Sequence, residues 1–397
     1  MNDLFAQAVP IIKLLEKAGY EAYFVGGSVR DYLMNKSIHD VDIATSATPQ
    51  EVKAIFGKTV DVGIEHGTVI VLHRGKSYEV TTFRTESGYS DFRRPDHVEF
   101  VRSLEEDLKR RDFTINAIAM KSNGEVIDPM DGRKDIHNRL LVTVGDPDER
   151  FREDALRMMR AVRFISQLDF ELDKETFESL QNNGYMLKNI AVERIYTEFE
   201  KLLTGISINK AIHLLAECGL FKYLPGLARM RDSLENFAKL PLKNAGSTTE
   251  LWALLMVFSE EQDIEKFLRA WKMPVKQIRE IQSITTLVRN WPIALKEKHP
   301  LFYAGELAVK SAKVFDLVQG GDTRENETYV REWFSRLPLK NMSELAVNGS
   351  DLLSWYKRQP GPWVKDELQF IIEGILNARV SNEKEEIKEW LSFCGRM

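Results

Sequence analysis

Two short segments near the start of the chain carry residue types suited to phosphoryl chemistry. Gly26-Gly-Ser-Val-Arg-Asp31 is followed by Asp40-Val-Asp42. Aspartates two apart on a strand project from one face. Carboxylates that close repel each other unless a cation sits between them, and Mg²⁺ suits such oxygen donors. A Gly-Gly turn into a helix bares backbone N–H groups at the positive end of a helix dipole, where a phosphate can bind. A phosphate site one short helix from a metal site is what nucleotidyl transfer requires. One metal ion activates the attacking hydroxyl, and a second holds the triphosphate and the leaving pyrophosphate. Glu79 is a carboxylate inside the strand-like run Ser77–Phe83, where Glu is depleted, and it is the candidate third acid. Each piece alone has a plainer reading, as a turn, a cap or a solvated strand residue. Their order and spacing favour the site.

A second group could choose a nucleotide. Arg111 can donate several hydrogen bonds to a triphosphate, and Asp112 can accept from a ribose hydroxyl. Asn116, one turn on, either braces this pair or packs in the core. Asp154, Arg157, Arg160 and Arg163 recur every third residue, as neighbours one turn apart on a single predicted helix. On the Watson–Crick edge, C and A each show an amino donor beside a ring-nitrogen acceptor, whereas U and G show a carbonyl beside an N–H. A carboxylate only accepts and a guanidinium only donates. An Asp154–Arg157 pair of fixed spacing therefore matches C and A and opposes U and G.

These residues need a scaffold. The pattern predicts a helix over 3–18, a strand at Glu21–Val25, and a Gly26-Gly27 turn into a short helix capped by Ser28. It predicts a further strand over His39–Ala44, a helix capped by Thr48 with Pro49 in its first turn, and a hairpin from Thr68–His73 and Ser77–Phe83. Thr85–Asp96 reads as a polar loop, Val98–Val101 as a strand and Leu104–Ile118 as a helix. From about Asp148 the period is helical nearly everywhere. All seven tryptophans lie after residue 250 and read mainly as helical core.

Composition sets outer bounds. The 397 residues allow several domains, and 43% apolar with 29% charged residues is a globular mixture. Two cysteines, Cys218 and Cys394, build no disulfide framework. No run approaches the ~20 apolar residues of a membrane helix, and the N-terminus lacks a secretory pattern, so a cytoplasmic setting is expected. The net charge of −5 leaves room for a local basic groove on nucleic acid.

The motifs resemble those of the nucleotidyltransferase superfamily that includes DNA polymerase β. Leu108-Lys-Arg-Arg-Asp-Phe-Thr-Ile-Asn-Ala-Ile-Ala-Met120 and Glu153-Asp-Ala-Leu-Arg-Met-Met-Arg-Ala-Val-Arg-Phe164 narrow the likeness to class II CCA-adding enzymes, tRNA nucleotidyltransferases, and their relatives the bacterial poly(A) polymerases. Asp128-Pro-Met-Asp-Gly132 and Ala191-Val-Glu-Arg-Ile-Tyr-Thr-Glu-Phe199 fit further motifs of that family. The resemblance spans about residues 20–205.

It implies an α/β nucleotidyltransferase head with a mixed sheet over 1–150, then an all-α remainder: a neck over 151–205, a body over 206–300 and a tRNA-binding tail over 301–397. It implies addition of CCA to the tRNA 3′ end from CTP and ATP without a template. Asp40 and Asp42 would hold Mg²⁺ with help from Glu79. Gly27, Arg30 and Arg111 would face the triphosphate, with Asp112 nearby. Asp154 and Arg157 would read the base, supported by Arg160 and Arg163. Loop 85–96 corresponds to a family loop tied to the switch from C to A addition. The C-terminal half itself offers Lys310, Lys313, Arg331, Arg336, Lys340, Lys357, Arg358 and Lys365, several of which can line phosphates. The alternatives are A-only or CC-only addition, a poly(A) polymerase, or a non-catalytic RNA-binding protein on a transferase scaffold. The oligomeric state, monomer or homodimer, stays open.

Overall fold

The structure is a computed structural model that describes residues 3–62, 67–88, 97–259, 261–320 and 324–397. Helix α1 (Asp3–Lys17) buries Phe5, Ala8, Ile11, Ile12 and Leu15 along one stripe, the spacing of a helix packed on a sheet. The chain continues through β1 (Ala22–Val25), α2 (Gly27–Leu33), β2 (Asp42–Thr45), α3 (Pro49–Ile55), β3 (Thr59–Asp61), β4 (Thr68–His73), β5 (Lys76–Thr82), β6 (Arg84–Ser87), β7 (His97–Phe100), α4 (Leu104–Lys109), β8 (Ala119–Met120) and β9 (Val126–Ile127). Seven strands form one sheet in the order β3-β4-β5-β2-β1-β8-β9. It is mixed: β2 runs parallel to β5 and antiparallel to β1. One core cluster joins Phe5, Ile11, Phe24, Ile43, Val69 and Val80. A second joins Val25, Ala44, Phe83, Leu108 and Ala119. Alternate residues of the same strands thus feed the two clusters, as the two-residue period demands.

Local signals behave mostly as expected. Thr48 caps α3 in a full capping box with Glu51, and Pro49 follows it. β4 and β5 pair as a hairpin around Arg74 and Gly75. The expected Ser28 cap is displaced by two residues. The N-cap is Gly26, at φ +73°, while the Ser28 hydroxyl donates to the Val25 carbonyl. Of the loop expected over 85–96, residues 85–87 instead belong to β6, which pairs with β7, and residues 89–96 lie outside the described residues.

The expected helix over 104–118 stops at Lys109. Beyond it, Phe113 bridges to Thr143, and the Thr114 N–H donates to the Val142 carbonyl. Partners thirty residues away compete successfully for this backbone. Next come α5 (Gly132–Asn138), β10 (Leu140–Leu141), α6 (Pro147–Glu153), α7 (Leu156–Leu168), β11 (Glu171–Leu172), α8 (Lys174–Asn183), α9 (Val192–Leu203) and α10 (Ile208–Glu217). The row from Asp154 to Arg163 is therefore not on one helix. Asp154 is the C-cap of α6, with extended backbone at φ −136° and ψ 101°. Only its arginine partners sit on α7.

The chain divides into two compact units, 1–231 and 232–397. The second is helical: α11 (Arg231–Phe237) enters it, followed by α12 (Thr248–Phe258), α13 (Ile264–Ala270), α14 (Val275–Arg289), α15 (Trp291–Glu297), α16 (His299–Ala304), α17 (Glu306–Val318), α18 (Glu325–Arg336), α19 (Gly349–Tyr356), α20 (Trp363–Leu376) and α21 (Lys384–Phe393). Trp252, Trp271 and Trp291 are fully buried in it. Trp252 meets Trp271 edge to face, and Trp390 stacks on Phe370. These tryptophans are core. No helix among the described residues is long and apolar enough to cross a membrane.

Candidate nucleotide-binding and catalytic cleft

A cleft of about 670 Å³ in the first unit is lined by Gly27, Arg30, Asp40, Asp42, Glu79, Arg111, Asp112, Asp154, Arg157, Arg160 and Arg163, the catalytic, metal and nucleotide candidates of the sequence. The sheet delivers the acids. Parallel pairing sets Asp42 directly opposite Glu79, and paired residues on neighbouring strands point to the same face. Asp40 enters from the segment before β2. Burial pushes the Asp42 carboxyl up, Asp40 and Glu79 push it further, and Arg111 only partly offsets them, leaving it at about 6. That excess negative charge is what a divalent cation neutralises. Among the described residues, no group of three or more His, Cys, Asp or Glu side chains could hold an ion unaided. Mg²⁺ is commonly bound by one or two carboxylates plus substrate phosphates rather than by a protein cage, so this donor set fits it.

The glycine turn opens beside these acids. A Cβ at Gly26 would lie 3.4 Å from Arg111 Nη1 and 3.6 Å from Asp42 Oδ2, so the turn, the arginine and the acid share one corner. Arg111 is held from behind. Its Nη2 donates to Asp107 Oδ2 at 3.1 Å and its Nη1 to the Asn116 carbonyl, while its buried Nε has no partner. Asp107, 1% exposed, also accepts from Arg110 Nε and Nη2 at 2.9 and 2.7 Å. Burial alone would raise its pKa, but Arg110 and Arg111 hold it below the usual carboxylate range.

Further along the cleft the acids are already neutralised. Arg30 donates to Asp31 and to Asn116 Oδ1 at 2.7 Å. Asn116 Nδ2 donates to Asp112 Oδ1 at 3.1 Å, so Asn116 braces the site. The Phe113 N–H donates to the same oxygen, and Arg160 donates from Nε at 2.7 Å and from Nη2 to Asp112 Oδ2. A carboxylate offers about four acceptor directions, and protein donors fill those of Asp112. Burial works to raise its pKa, but the charge of Arg160 and the hydrogen bonds from Asn116 and Arg160 drive it well below the usual range. Arg163 pairs with Glu198 at 3.2 Å. Burial and the nearby Arg160 pull its pKa down to about 10. The guanidinium groups of Arg30, Arg160 and Arg163 all lie over the Phe164 ring, the last at 4.2 Å.

Asp154 and Arg157 share the cleft but do not pair with each other. Arg157 Nη1 donates to Glu153 Oε2 at 2.6 Å, and its Nη2 to the Arg110 carbonyl at 2.9 Å. Asp154 accepts from Arg194. Asp107, Arg110 and Arg194 were not among the residues picked from the sequence. Asp107 reads there as one of three acids in a helix's first turn, and Arg194 lies forty residues from its partner. In the second unit, four candidate phosphate contacts are engaged in ion pairs: Lys310 with Glu280, Lys313 with Glu250, Arg331 with Glu327 and Arg336 with Glu332.

Similarity to known proteins follows the same lines. Residues 22–142 match the family described as "Poly A polymerase head domain", and residues 169–230 that described as "Probable RNA and SrmB- binding site of polymerase A". Residues 244–391 match a tRNA nucleotidyltransferase domain 2. The chain is 49% identical over 398 residues to the CCA-adding enzyme of Geobacillus kaustophilus, covering 100% of this chain and 98% of that one. It is 45% identical over 397 residues to the CCA-adding enzyme of Listeria monocytogenes, covering 99% of both. The crystal structure of Bacillus stearothermophilus CCA-adding enzyme in complex with CTP is 47% identical, with a TM-score of 0.93 over 100% of this chain and 98% of that chain. A Thermotoga maritima CCA-adding enzyme complexed with tRNA, 22% identical with a TM-score of 0.69, covers 98% of this chain and 95% of its own and shares the fold.

A mixed sheet that brings paired acids to a glycine turn, with an arginine-lined cleft and a helical continuation, defines a nucleotidyltransferase. Within that class, the chain belongs to the CCA-adding enzymes, the family its motifs resemble.

Proposed function

We propose that the cleft builds CCA at the 3′ end of tRNA from CTP and ATP, with the residues of the first unit divided between chemistry and choice. The carrying observation is the meeting, in one cleft, of Asp40, Asp42 and Glu79 with the Gly26-Gly27 turn and with Asp154 and Arg157. Asp40 and Asp42 would hold Mg²⁺, with Glu79 beside them. When bound, the metal supplies activation of the attacking 3′ hydroxyl and charge neutralisation on the leaving pyrophosphate. Gly27, Arg30 and Arg111 face the triphosphate, and the unpartnered Arg111 Nε has a donor to give. Asp107 and Asn116 hold Arg111 so that it meets the phosphates without first being reorganised.

Asp154 accepts from the amino group of C or A, and Arg157 donates to the ring nitrogen. Glu153 and the Arg110 carbonyl fix the Arg157 fork. A U or G would leave a charged group facing its own kind, at a cost of about 1–3 kcal/mol. Asp112, filled by protein donors, anchors Arg160, and Arg160 and Arg163 support the wall. The head over 1–150, neck over 151–205, body over 206–300 and tail over 301–397 are our working division, with RNA held by the helical part in a cytoplasmic setting.

The direct test extends a tRNA transcript lacking its last three nucleotides with CTP alone, ATP alone and both. Two additions with CTP and a third only with both are expected. Long A tails from ATP alone would instead make the chain a poly(A) polymerase. A single A, added only to tRNA already ending in CC, would make it an A-adding enzyme.

A further inference from the structure

Asp154 stands on backbone that does not fix it by helix geometry. It is the joint between α6 and α7, and a side chain there needs a partner to hold one orientation. Oδ1 accepts from the Leu156 N–H at 3.0 Å. The other constraint comes from α9, where Arg194 Nη2 donates to Asp154 Oδ2 at 2.9 Å and Nη1 reaches Oδ1 at 3.5 Å. Both residues line the cleft. Each carboxylate oxygen has two acceptor directions, so these contacts fill Oδ1 and leave one direction, on Oδ2, for an incoming base.

Arg194 is itself mounted rigidly. One turn along α9, Glu198 pairs with Arg163 of α7. Two turns along, the Leu202 carbonyl accepts from the Ser166 hydroxyl at 2.6 Å. Just past α9, a Cβ at Gly205 would lie 2.1 Å from Ser166 Oγ, so the two segments meet in van der Waals contact. The register of α9 on α7 thus sets where the Arg194 fork meets Asp154.

We infer that Arg194 is a specificity-determining positioning residue: it aims the Asp154 carboxylate so that the free acceptor direction on Oδ2 meets the amino group of C or A. The inference rests on the base-reading role proposed for Asp154. Without Arg194 the carboxylate is held only by the Leu156 N–H on Oδ1, Oδ2 loses its fixed direction, and edges it should refuse are tolerated. Arg194 works through Asp154, so its loss should show in nucleotide choice more than in turnover.

The test measures kcat/KM for CTP, UTP, ATP and GTP in the full-length enzyme carrying Arg194→Ala, Arg194→Lys, Asp154→Ala and the Asp154→Ala/Arg194→Ala double change. Arg194→Ala is expected to lower the CTP-over-UTP and ATP-over-GTP ratios by about tenfold, the scale of one lost charged hydrogen bond, with a smaller fall in kcat for CTP. Arg194→Lys, which returns one charged donor without the fork, should recover part of the ratio. The double variant should discriminate no worse than Asp154→Ala. Equal losses for all four nucleotides with the ratios kept would overturn the inference. So would an Arg194→Ala enzyme of wild-type selectivity beside an Asp154→Ala enzyme that has lost it. If Asp154→Ala keeps its selectivity, the base-reading role fails first and the inference falls with it. If Arg194→Ala does not fold, the ratios of Arg194→Lys decide alone.

Discussion

Asp42 and Asp112 are the same residue type in the same cleft, and their carboxyls shift in opposite directions. At Asp42, burial and two neighbouring acids outweigh Arg111 and push the group up to about 6. At Asp112, burial is overcome by Arg160 and Asn116, and the group is held well below the ordinary range. Burial acts the same way on both, so the partners decide the sign. One end of the cleft carries charge that its own side chains do not balance and needs a bound cation to complete it. The other end is already balanced and gives the cleft its shape. In the proposed reaction, unbalanced charge marks where the chemistry would happen, and balanced charge marks what holds the site in place.

The comparison breaks most visibly at its unbalanced end. Asp42→Ala should lower turnover in primer extension by on the order of 10³-fold or more, since several kcal/mol of metal-borne stabilisation are lost. Binding of tRNA should hold in a gel-shift assay. A loss under tenfold would make Asp42 one more buried acid. At the balanced end, Asp112→Ala should cost about 2–4 kcal/mol of stability in urea unfolding, because it leaves Arg160 and Asn116 without their acceptor. The pH dependence sharpens this. The folded-state pKa of Asp112 is depressed, so its contribution is fully present above the unfolded value of about 4 and is lost as pH falls below it. The gap between wild type and variant should therefore be constant near neutrality and close in acid. Thr48→Ala sets the scale for a cap remote from the cleft: about 1 kcal/mol of stability, with kcat/KM for both nucleotides unchanged.

What could be read in the sequence was what local spacing determines. Gly26-Gly27, Asp40-Val-Asp42 and the Thr48 cap each act within a few residues, and the structure places them close to where the pattern did. Apart from the Ser28 cap, which a local bond to Val25 displaces, the misreadings at the cleft share one cause. The backbone from Asp112 to Thr114 left its expected helix for partners from Val142 to Val144. Asp154 left its expected helix to cap another. Asp107 and Arg194 gained meaning from side chains brought to them by the fold. Spacing proposes Asp154 with Arg157, yet Arg157 takes Glu153, four residues before it, and Asp154 takes Arg194, which only tertiary packing brings to it.

All seven tryptophans fall within residues 232–397, which makes the molecule unevenly visible to light. Emission excited at the red edge of absorption reports on the second unit alone, and the unit holding the cleft is dark in that channel. An unfolding curve followed by tryptophan fluorescence would miss any loosening of the nucleotide site. Circular dichroism counts both units. Where the two curves separate, the cleft and the helical half unfold as distinct cooperative blocks, and no single midpoint describes the chain.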